Sequence, residues 1–137
     1  MAIIKPFKGL RPPKEFVAEV ACLPYDVMNS QEAAQMANGK PKSLLHITRG
    51  EIDMPAGTDE HSDEVYQKSK DNFRAFIQKG WLVQDTEPYY YIYAQKMGNH
   101  IQYGIVASAH IEDYFNGVIR KHELTRPDKE LDRTHII

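Results

Sequence analysis

The residues best suited to chemistry stand together near the C-terminal end of the 137-residue sequence, in the stretch VIRKHELTRPDKELDRT at 118–134. Lysine, histidine and arginine alternate there with glutamate and aspartate, directly after an apolar pair. A strand that leads into a helix beginning near Pro127 would leave the free N–H groups of the first helical turn facing the preceding loop. A turn of this kind is a natural binding site for anions, phosphate groups in particular.

Four side chains of this stretch are candidates for specific roles. Lys121, His122 and Arg126 would add positive charge beside the helix start, and a guanidinium group suits phosphate oxygens. Glu123 is a candidate proton acceptor. However, the acidic side chains that follow Pro127 would stabilise a helix start without any ligand, because they face the positive end of its dipole. The spacing therefore leaves a phosphate site and an ordinary solvated helix start as alternatives.

A second candidate is Asp26, which lies behind a proline in the segment LPYDV at 23–27. A short acidic residue in a loop commonly caps a turn. The same carboxylate can act as a general base or bind magnesium if the fold brings it to the charged C-terminal stretch. On spacing alone the capping role is the simpler explanation.

Composition argues against a metal centre and against several classes of partner. The six histidines lack metal-site spacing, and the single Cys22 excludes a disulfide framework and a cysteine-rich zinc site. A net charge of −2 and the lack of a basic helix argue against nucleic acid. No apolar run approaches the roughly 20 residues of a membrane span, and the N-terminal apolar stretch is too short for a signal peptide. We therefore expect a cytoplasmic protein of undetermined oligomeric state.

The elements that must position these groups alternate between helices and strands. The patterns predict a helix over 31–38 capped by Ser30, a strand over 43–50, a helix over 62–79 and a hairpin that turns at 97–99. We expect an α+β fold with a mixed sheet, an antiparallel hairpin and flanking helices. The length predicts one domain over 1–137, and the end of the chain inside a helix-like pattern without a stop signal predicts the N-terminal fragment of a longer protein.

Five motifs occur in a fixed order: IKPFKGLRP, EVACLPYDVMNSQEA, SLLHITRGEID, PAGTD and GVIRKHELTRPDKELDRT. Together they closely resemble the start of a widespread bacterial and archaeal family, catalogued as domain of unknown function 1015, whose members are considerably longer than this chain. The family is described as ParB-like, which implies a remote relation to the ParB/sulfiredoxin fold. Members of that wider fold bind nucleotides, and some phosphorylate free serine.

The resemblance implies a nucleotide- or phosphate-binding domain with small-molecule phosphotransferase activity. In the wider fold a short motif at a strand-to-helix turn holds phosphates, and RKHELTR occupies a comparable position. His122 and Arg126 are then the implied phosphate contacts and Glu123 the implied base, whereas Asp26 is an acid or a metal ligand. The implied ligands are a nucleotide, or another phosphorylated small molecule, and Mg²⁺.

His46 and Arg49 join the candidate residues because HITR also matches the family and carries the same mixture of charge and polarity. In a strand, His46 and Thr48 would share one face. The competing hypothesis is a non-enzymatic, ParB-like regulatory or protein-interaction module, in which the charged stretch contacts a partner.

Overall fold

The computed structural model describes residues 1–120 and 127–136, and the chain divides into two compact units. The first unit combines Met1–Arg11 with Gln84–Leu124, and the second unit combines Pro12–Val83 with Thr125–Ile137. The described part of the chain combines helices with small antiparallel sheets, which confirms the predicted α+β class.

The helices are α1 (Val17–Val20), α2 (Ser30–Ala37), α3 (Leu45–Thr48), α4 (Asp63–Gln78), α5 (Ile111–Phe115) and α6 (Pro127–Ile136). The strands are β1 (Ile4–Lys5), β2 (Leu10–Arg11), β3 (Val83–Gln84), β4 (Tyr91–Met97), β5 (His100–Val106) and β6 (Ser108–Ala109). Short 3₁₀ turns lie at Tyr25–Val27 and Gly50–Asp53. None of the helices within the described residues is long and apolar enough to cross a bilayer.

The first unit is built around two antiparallel strand pairs. β1 pairs with β6, and β4 pairs with β5 along its whole length up to the Met97–His100 pair. The two residues between those partners form the predicted turn, in which Gly98 has a φ of 60°. A positive φ at the first central position suits a tight hairpin turn and favours glycine. The hairpin prediction is therefore confirmed.

The second unit buries the apolar face of α4 against the short helices that precede it. Val65, Tyr66, Ser69 and Phe76 form the buried stripe of this helix. The stripe has the i, i+4 spacing of an amphipathic helix, as the sequence indicates. Phe73 and Ile77, at the margin of this stripe, remain 38% and 43% exposed.

Residues 43–50 form a helix and not the predicted strand. α3 occupies Leu45–Thr48, and the chain then tightens into the 3₁₀ turn Gly50–Asp53. A short apolar run has no decisive periodicity, so burial in the tertiary structure selects between helix and strand. Leu45 and Ile47 are both buried in the second unit. The shared strand face predicted for His46 and Thr48 is therefore wrong.

The N-terminal cap of α2 is Asn29 and not the predicted Ser30. The Asn29 side chain accepts a hydrogen bond from the Glu32 backbone N–H at 2.9 Å, and the Glu32 carboxylate accepts one from the Asn29 N–H at 2.9 Å. This reciprocal pair is a capping box, which needs a glutamate three residues after the cap. The Ser30 hydroxyl is thereby left available for contacts outside the helix.

The chain after α5 departs from the predicted strand GVIRKHEL. Residues 117–120 are a turn and irregular backbone, and residues 121–124 lie outside the described residues. α6 begins at Pro127, as predicted from the fixed φ of proline at a first helical position. It lies against α4, where the His135 ring contacts the Tyr66 ring edge-on at 4.8 Å between centroids.

Candidate functional site

A polar hollow in the second unit collects side chains from four separate segments. Its walls come from the Tyr25 turn, from the end of α3 and the residues after it, from the loop before α4, and from α4 itself; they are Tyr25, Thr48, Arg49, Gly50, Glu51, Glu60, His61, Val65, Tyr66 and Ser69. The cavity between these walls has a volume of about 20 Å³. The hollow therefore admits a small polar group and not a whole nucleotide.

Arg49 is the centre of the hollow's polar network. Its guanidinium contacts Glu51 through Nε at 2.9 Å and Glu60 through Nη1 at 2.9 Å. Nη2 donates to the Met28 carbonyl at 3.3 Å and to the Ser30 hydroxyl at 3.2 Å. Arg49 is only 7% exposed and Glu51 only 9%. Buried charges are rare unless they are paired, so this pair is a specific feature of the fold.

The network is crowded around one oxygen of Glu51. The Ser30 hydroxyl donates to Glu51 Oε1 at 3.0 Å, and the same oxygen is the one nearest Arg49 Nε. The Nε–H is not directed at that oxygen, and it has no aligned acceptor elsewhere in the described part of the chain. The Arg49–Glu51 contact is thus an ion pair without a hydrogen bond. A single guanidinium thus faces two carboxylates, Glu51 and Glu60.

Gly50 allows the two charged residues on either side of it to reach α4. A Cβ built on Gly50 would lie 2.8 Å from the Val65 carbonyl oxygen and would also collide with the Ser69 hydroxyl. Contacts this short do not occur between real side chains and backbone, so only glycine fits against α4 here. The close approach of the backbone therefore holds the Arg49–Glu51 pair beside the helix.

His61 forms the outer polar wall of the hollow. Its Nδ1 lies 3.3 Å from the Tyr66 hydroxyl, and its Nε2 lies 3.5 Å from Glu60 Oε1. Its backbone N–H donates to Asp59 Oδ1 at 3.0 Å. The Glu60 carboxylate therefore contacts both the His61 imidazole and the Arg49 guanidinium. This wall thus offers both hydrogen-bond donors and acceptors.

His46 belongs to a separate polar cluster. Its Nδ1 lies 2.9 Å from Asp53 Oδ1, and its Nε2 lies 3.2 Å from the Lys40 carbonyl oxygen. The Asn72 amide donates to both the His46 carbonyl, at 2.6 Å, and Asp53 Oδ2, at 2.8 Å. Both ring nitrogens thus have protein partners, and this histidine does not line the hollow. Of the two candidate residues from HITR, His46 and Arg49, only Arg49 lines the hollow.

The other predicted site residues have different outcomes. Asp26 is exposed on its 3₁₀ turn, next to Tyr25, which does line the hollow. Lys121, His122, Glu123 and Arg126 lie outside the described residues. Within the described residues, no group of three or more His, Cys, Asp or Glu side chains is arranged to hold a metal ion.

Sequence reasoning missed Ser30, Glu51, Glu60 and His61. Three of the four segments that line the hollow fall within or beside the motifs VMNS, TRGE and PAGTD. A buried arginine needs acceptors, and the available signal was Glu51 within TRGE and Glu60 directly after PAGTD. Nothing in their spacing shows which carboxylate reaches Arg49.

The first unit contains a cluster of three contacting side chains with displaced pKa values. Arg11 donates to both oxygens of Asp85, at 3.1 Å from Nε and 2.8 Å from Nη2, and the Tyr91 hydroxyl donates to Asp85 Oδ2 at 2.6 Å. The Tyr91 oxygen in turn accepts from the Gly9 N–H at 2.6 Å. The hydrogen bonds from Arg11 and then Tyr91 hold the pKa of Asp85 below its usual value. Desolvation, followed by the hydrogen bond to Asp85, raises the pKa of Tyr91.

This cluster predicts an acid-sensitive first unit. Because the pKa of Asp85 is lower in the folded state, its stabilising contribution is complete above the unfolded-state pKa of about 4 and is lost as the pH falls further. We expect Asp85→Asn to melt below the wild type at neutral pH and the difference to shrink from about pH 4 downward. Thermal melts followed by circular dichroism across this range measure it.

Glu87→Gln is the matched control, because Glu87 is an exposed carboxylate two positions away in the same unit. Its melting temperature should follow that of the wild type at every pH. A constant difference between Asp85→Asn and the wild type across the acid range would show that the carboxylate does not titrate with a lowered pKa.

Comparison with known proteins gave one family and no individual relative. The model of a family described as "Protein of unknown function (DUF1015)" matches residues 4–137. Neither the curated proteins nor the solved structures gave a match.

Proposed function

We propose that this chain, which belongs to the family of proteins of unknown function DUF1015, binds a nucleotide or another phosphorylated small molecule. We further propose that it transfers a phosphoryl group. The observation that carries the proposal is the polar hollow of the second unit, which gathers Tyr25, Arg49, Glu60 and His61. Convergent polar groups in a concave site are the usual mark of a small-molecule site.

The proposed phosphate contacts are in the basic stretch and not in the hollow, for an electrostatic reason. Arg49 is already opposed by two carboxylates, so the hollow has no positive charge to spare for phosphate. The positive charge must come from Lys121, His122 and Arg126, which immediately precede α6 in the sequence. α6 lies against α4, the helix that supplies Val65, Tyr66 and Ser69 to the hollow. Of these residues, Arg126 belongs to the same unit as the hollow, and the packing of α6 against α4 supports its assignment as a phosphate contact.

The roles follow from the chemistry of phosphoryl transfer, in which positioning and charge neutralisation do most of the work. Arg126, His122 and Lys121 are the proposed groups that neutralise the phosphate oxygens, and the acceptor is a small hydroxyl compound. Glu123 accepts the proton of the acceptor hydroxyl while the hydroxyl oxygen bonds to phosphorus. The bond between phosphorus and the oxygen of the leaving nucleoside diphosphate then breaks. Asp26, exposed beside Tyr25, is the proposed acid or Mg²⁺ ligand.

A thermal-shift titration with Mg²⁺–nucleoside triphosphate tests this proposal. Saturating nucleotide should raise the melting temperature of the wild type by a few degrees, because a ligand that binds only the folded state stabilises it. Arg126→Ala should lose the shift and keep the melting temperature of the unliganded protein. Arg74→Ala, which removes an exposed guanidinium from α4, should keep the shift.

A flat response of the wild type to nucleotides, inorganic phosphate and pyrophosphate would remove the basis of the phosphate proposal. If nucleotide binds, conversion of the triphosphate to diphosphate in the presence of small hydroxyl compounds, followed by ³¹P NMR, separates a transferase from a binding domain. Glu123→Gln should then retain the thermal shift and lose the conversion.

The alternative, a protein-interaction module, is favoured by one face of the β4–β5 hairpin. Ile92 and Ile105 are cross-strand partners on this face and are 79% and 71% exposed. Tyr103, opposite Ala94, extends the same apolar strip. Large exposed apolar patches mark interaction sites, and a two-stranded hairpin is marginally stable by itself. Analytical sedimentation of the wild type and of Ile105→Lys tests this candidate function. The candidate requires that the wild type self-associates and that the variant does not.

A further inference from the structure

A second and larger concavity lies on the other side of the Glu51 carboxylate. It runs between α2 and the segment that follows α3, and its walls include Ser30, Ala34, Glu51, Ile52, Met54 and Pro55. Its volume is about 550 Å³. This cleft is therefore wide enough for a small organic molecule, in contrast to the hollow around Arg49.

The cleft combines apolar walls with a polar floor. Ala34, Ile52, Met54 and Pro55 supply apolar surface, and Glu51, Ser30, Gln31 and Thr58 supply the polar groups. The described contacts of Glu51, to Ser30 and to Arg49, run through Oε1. Oε2 therefore remains as an acceptor, on a side chain that is more than nine-tenths buried. A carboxylate oxygen with no donor among the described residues is an acceptor for an incoming N–H or O–H group.

The charge of the network selects the kind of guest. Glu51 shares the Arg49 guanidinium with Glu60, which also lies beside His61. The Glu51 carboxylate attracts a cation and repels an anion. A hard metal cation needs several oxygen ligands, and the cleft offers a single carboxylate. Apolar walls beside one carboxylate suit an organic cation instead.

We propose that this cleft binds primary alkylammonium ions with a short aliphatic body. The ammonium group donates to Glu51 Oε2, and the carbon chain lies against the apolar wall formed by Ala34, Ile52 and Met54. This site is distinct from the phosphate site, because it depends on Glu51 and α2 and not on the basic stretch.

The probe is n-butylammonium chloride, titrated into ¹⁵N-labelled full chain at constant ionic strength and followed by NMR chemical shifts. A ligand with so few non-hydrogen atoms should bind with a dissociation constant of about 1–10 mM. The shifts should concentrate in residues 30–34 and 51–58, which border the cleft. Neutral n-butanol should bind about tenfold more weakly or worse, because it lacks the charge.

Ala34→Phe fills the cleft from the exposed side of α2 and leaves the Arg49 network intact, so it should abolish saturable binding. Gln35→Phe is the control, because it places the same side chain on the same helix, and residue 35 is not among those that line the cleft. It should bind butylammonium as the wild type does. The direct variant Glu51→Gln should also lose binding, but it disturbs a buried ion pair, so Ala34→Phe is the decisive comparison.

Three results would overturn the proposal: equal affinity for butanol and butylammonium, equal competition by magnesium or potassium ions, or undiminished binding by Ala34→Phe. Arg126→Ala should leave amine binding unchanged, since the basic stretch plays no part in it. Loss of amine binding and loss of the nucleotide response are therefore separate outcomes that can be told apart.

Discussion

Arg49→Met is expected to lower the free energy of unfolding by about 3–5 kcal/mol, the range found when one partner of a buried ion pair is removed. The variant leaves the Glu51 carboxylate, only 9% exposed, without its countercharge. It also removes the donors to the Met28 carbonyl and the Ser30 hydroxyl. Urea denaturation followed by circular dichroism measures the change.

Arg74→Met is the matched control for this variant. Arg74 lies on the outer side of α4 and pairs loosely with Asp71 at 3.6 Å, with both side chains more than half exposed. Surface pairs of this kind contribute little, so we expect a change within about 0.5 kcal/mol. The double variant Arg49→Met/Glu51→Met should recover part of the loss, because it leaves no buried charge without a partner. A loss below about 1 kcal/mol for Arg49→Met would show that water reaches the Glu51 carboxylate.

Gly50→Ala is expected to have the second largest effect, about 1–3 kcal/mol of lost stability, as for other substitutions that overfill a packed site. The added Cβ would lie 2.8 Å from the Val65 carbonyl oxygen, which belongs to the backbone of α4 and cannot rotate away. The chain must therefore retreat from α4 and carry Arg49 and Glu51 with it. Urea denaturation measures the loss, and the hollow should lose its geometry at the same time.

Gly104→Ala provides the comparison for Gly50→Ala. A Cβ at Gly104 meets nothing within 4 Å, and its φ is not positive, so the substitution should be close to neutral. Combining Gly50→Ala with Ser69→Ala removes the collision with the hydroxyl and leaves that with the Val65 carbonyl. We expect only partial recovery from this pair. Full recovery would mean that the Ser69 side chain alone sets the limit.

Local patterns were sufficient wherever the deciding interactions lie close together along the chain. The α4 periodicity, the β4–β5 hairpin with its glycine turn, and the start of α6 at Pro127 are all confirmed. The cap of α2 could also have been predicted from the sequence, because Glu32 stands three residues after Asn29, as a capping box requires. Ser30 was chosen because both residues are good caps when judged singly.

The same reasoning failed where a short segment had no periodicity of its own. LLHIT at 44–48 suits a strand or a buried helix equally, and the burial of Leu45 and Ile47 against the rest of the second unit decides for the helix. The consequence for the candidate site is large. With the strand replaced by α3 and a 3₁₀ turn, His46 joins Asp53 and Asn72, and Arg49 joins the hollow.

By itself the sequence determined the α+β class, the long helix, the hairpin and the set of motif residues from which a site could be drawn, because these follow from composition and from contacts a few residues apart. Only the tertiary structure decided which of those residues meet. Arg49 finds Ser30 nineteen positions back and Glu60 eleven positions ahead. Partners so far apart are selected by the shape of the folded core and by the need to pair a buried charge, and neither leaves a period in the sequence.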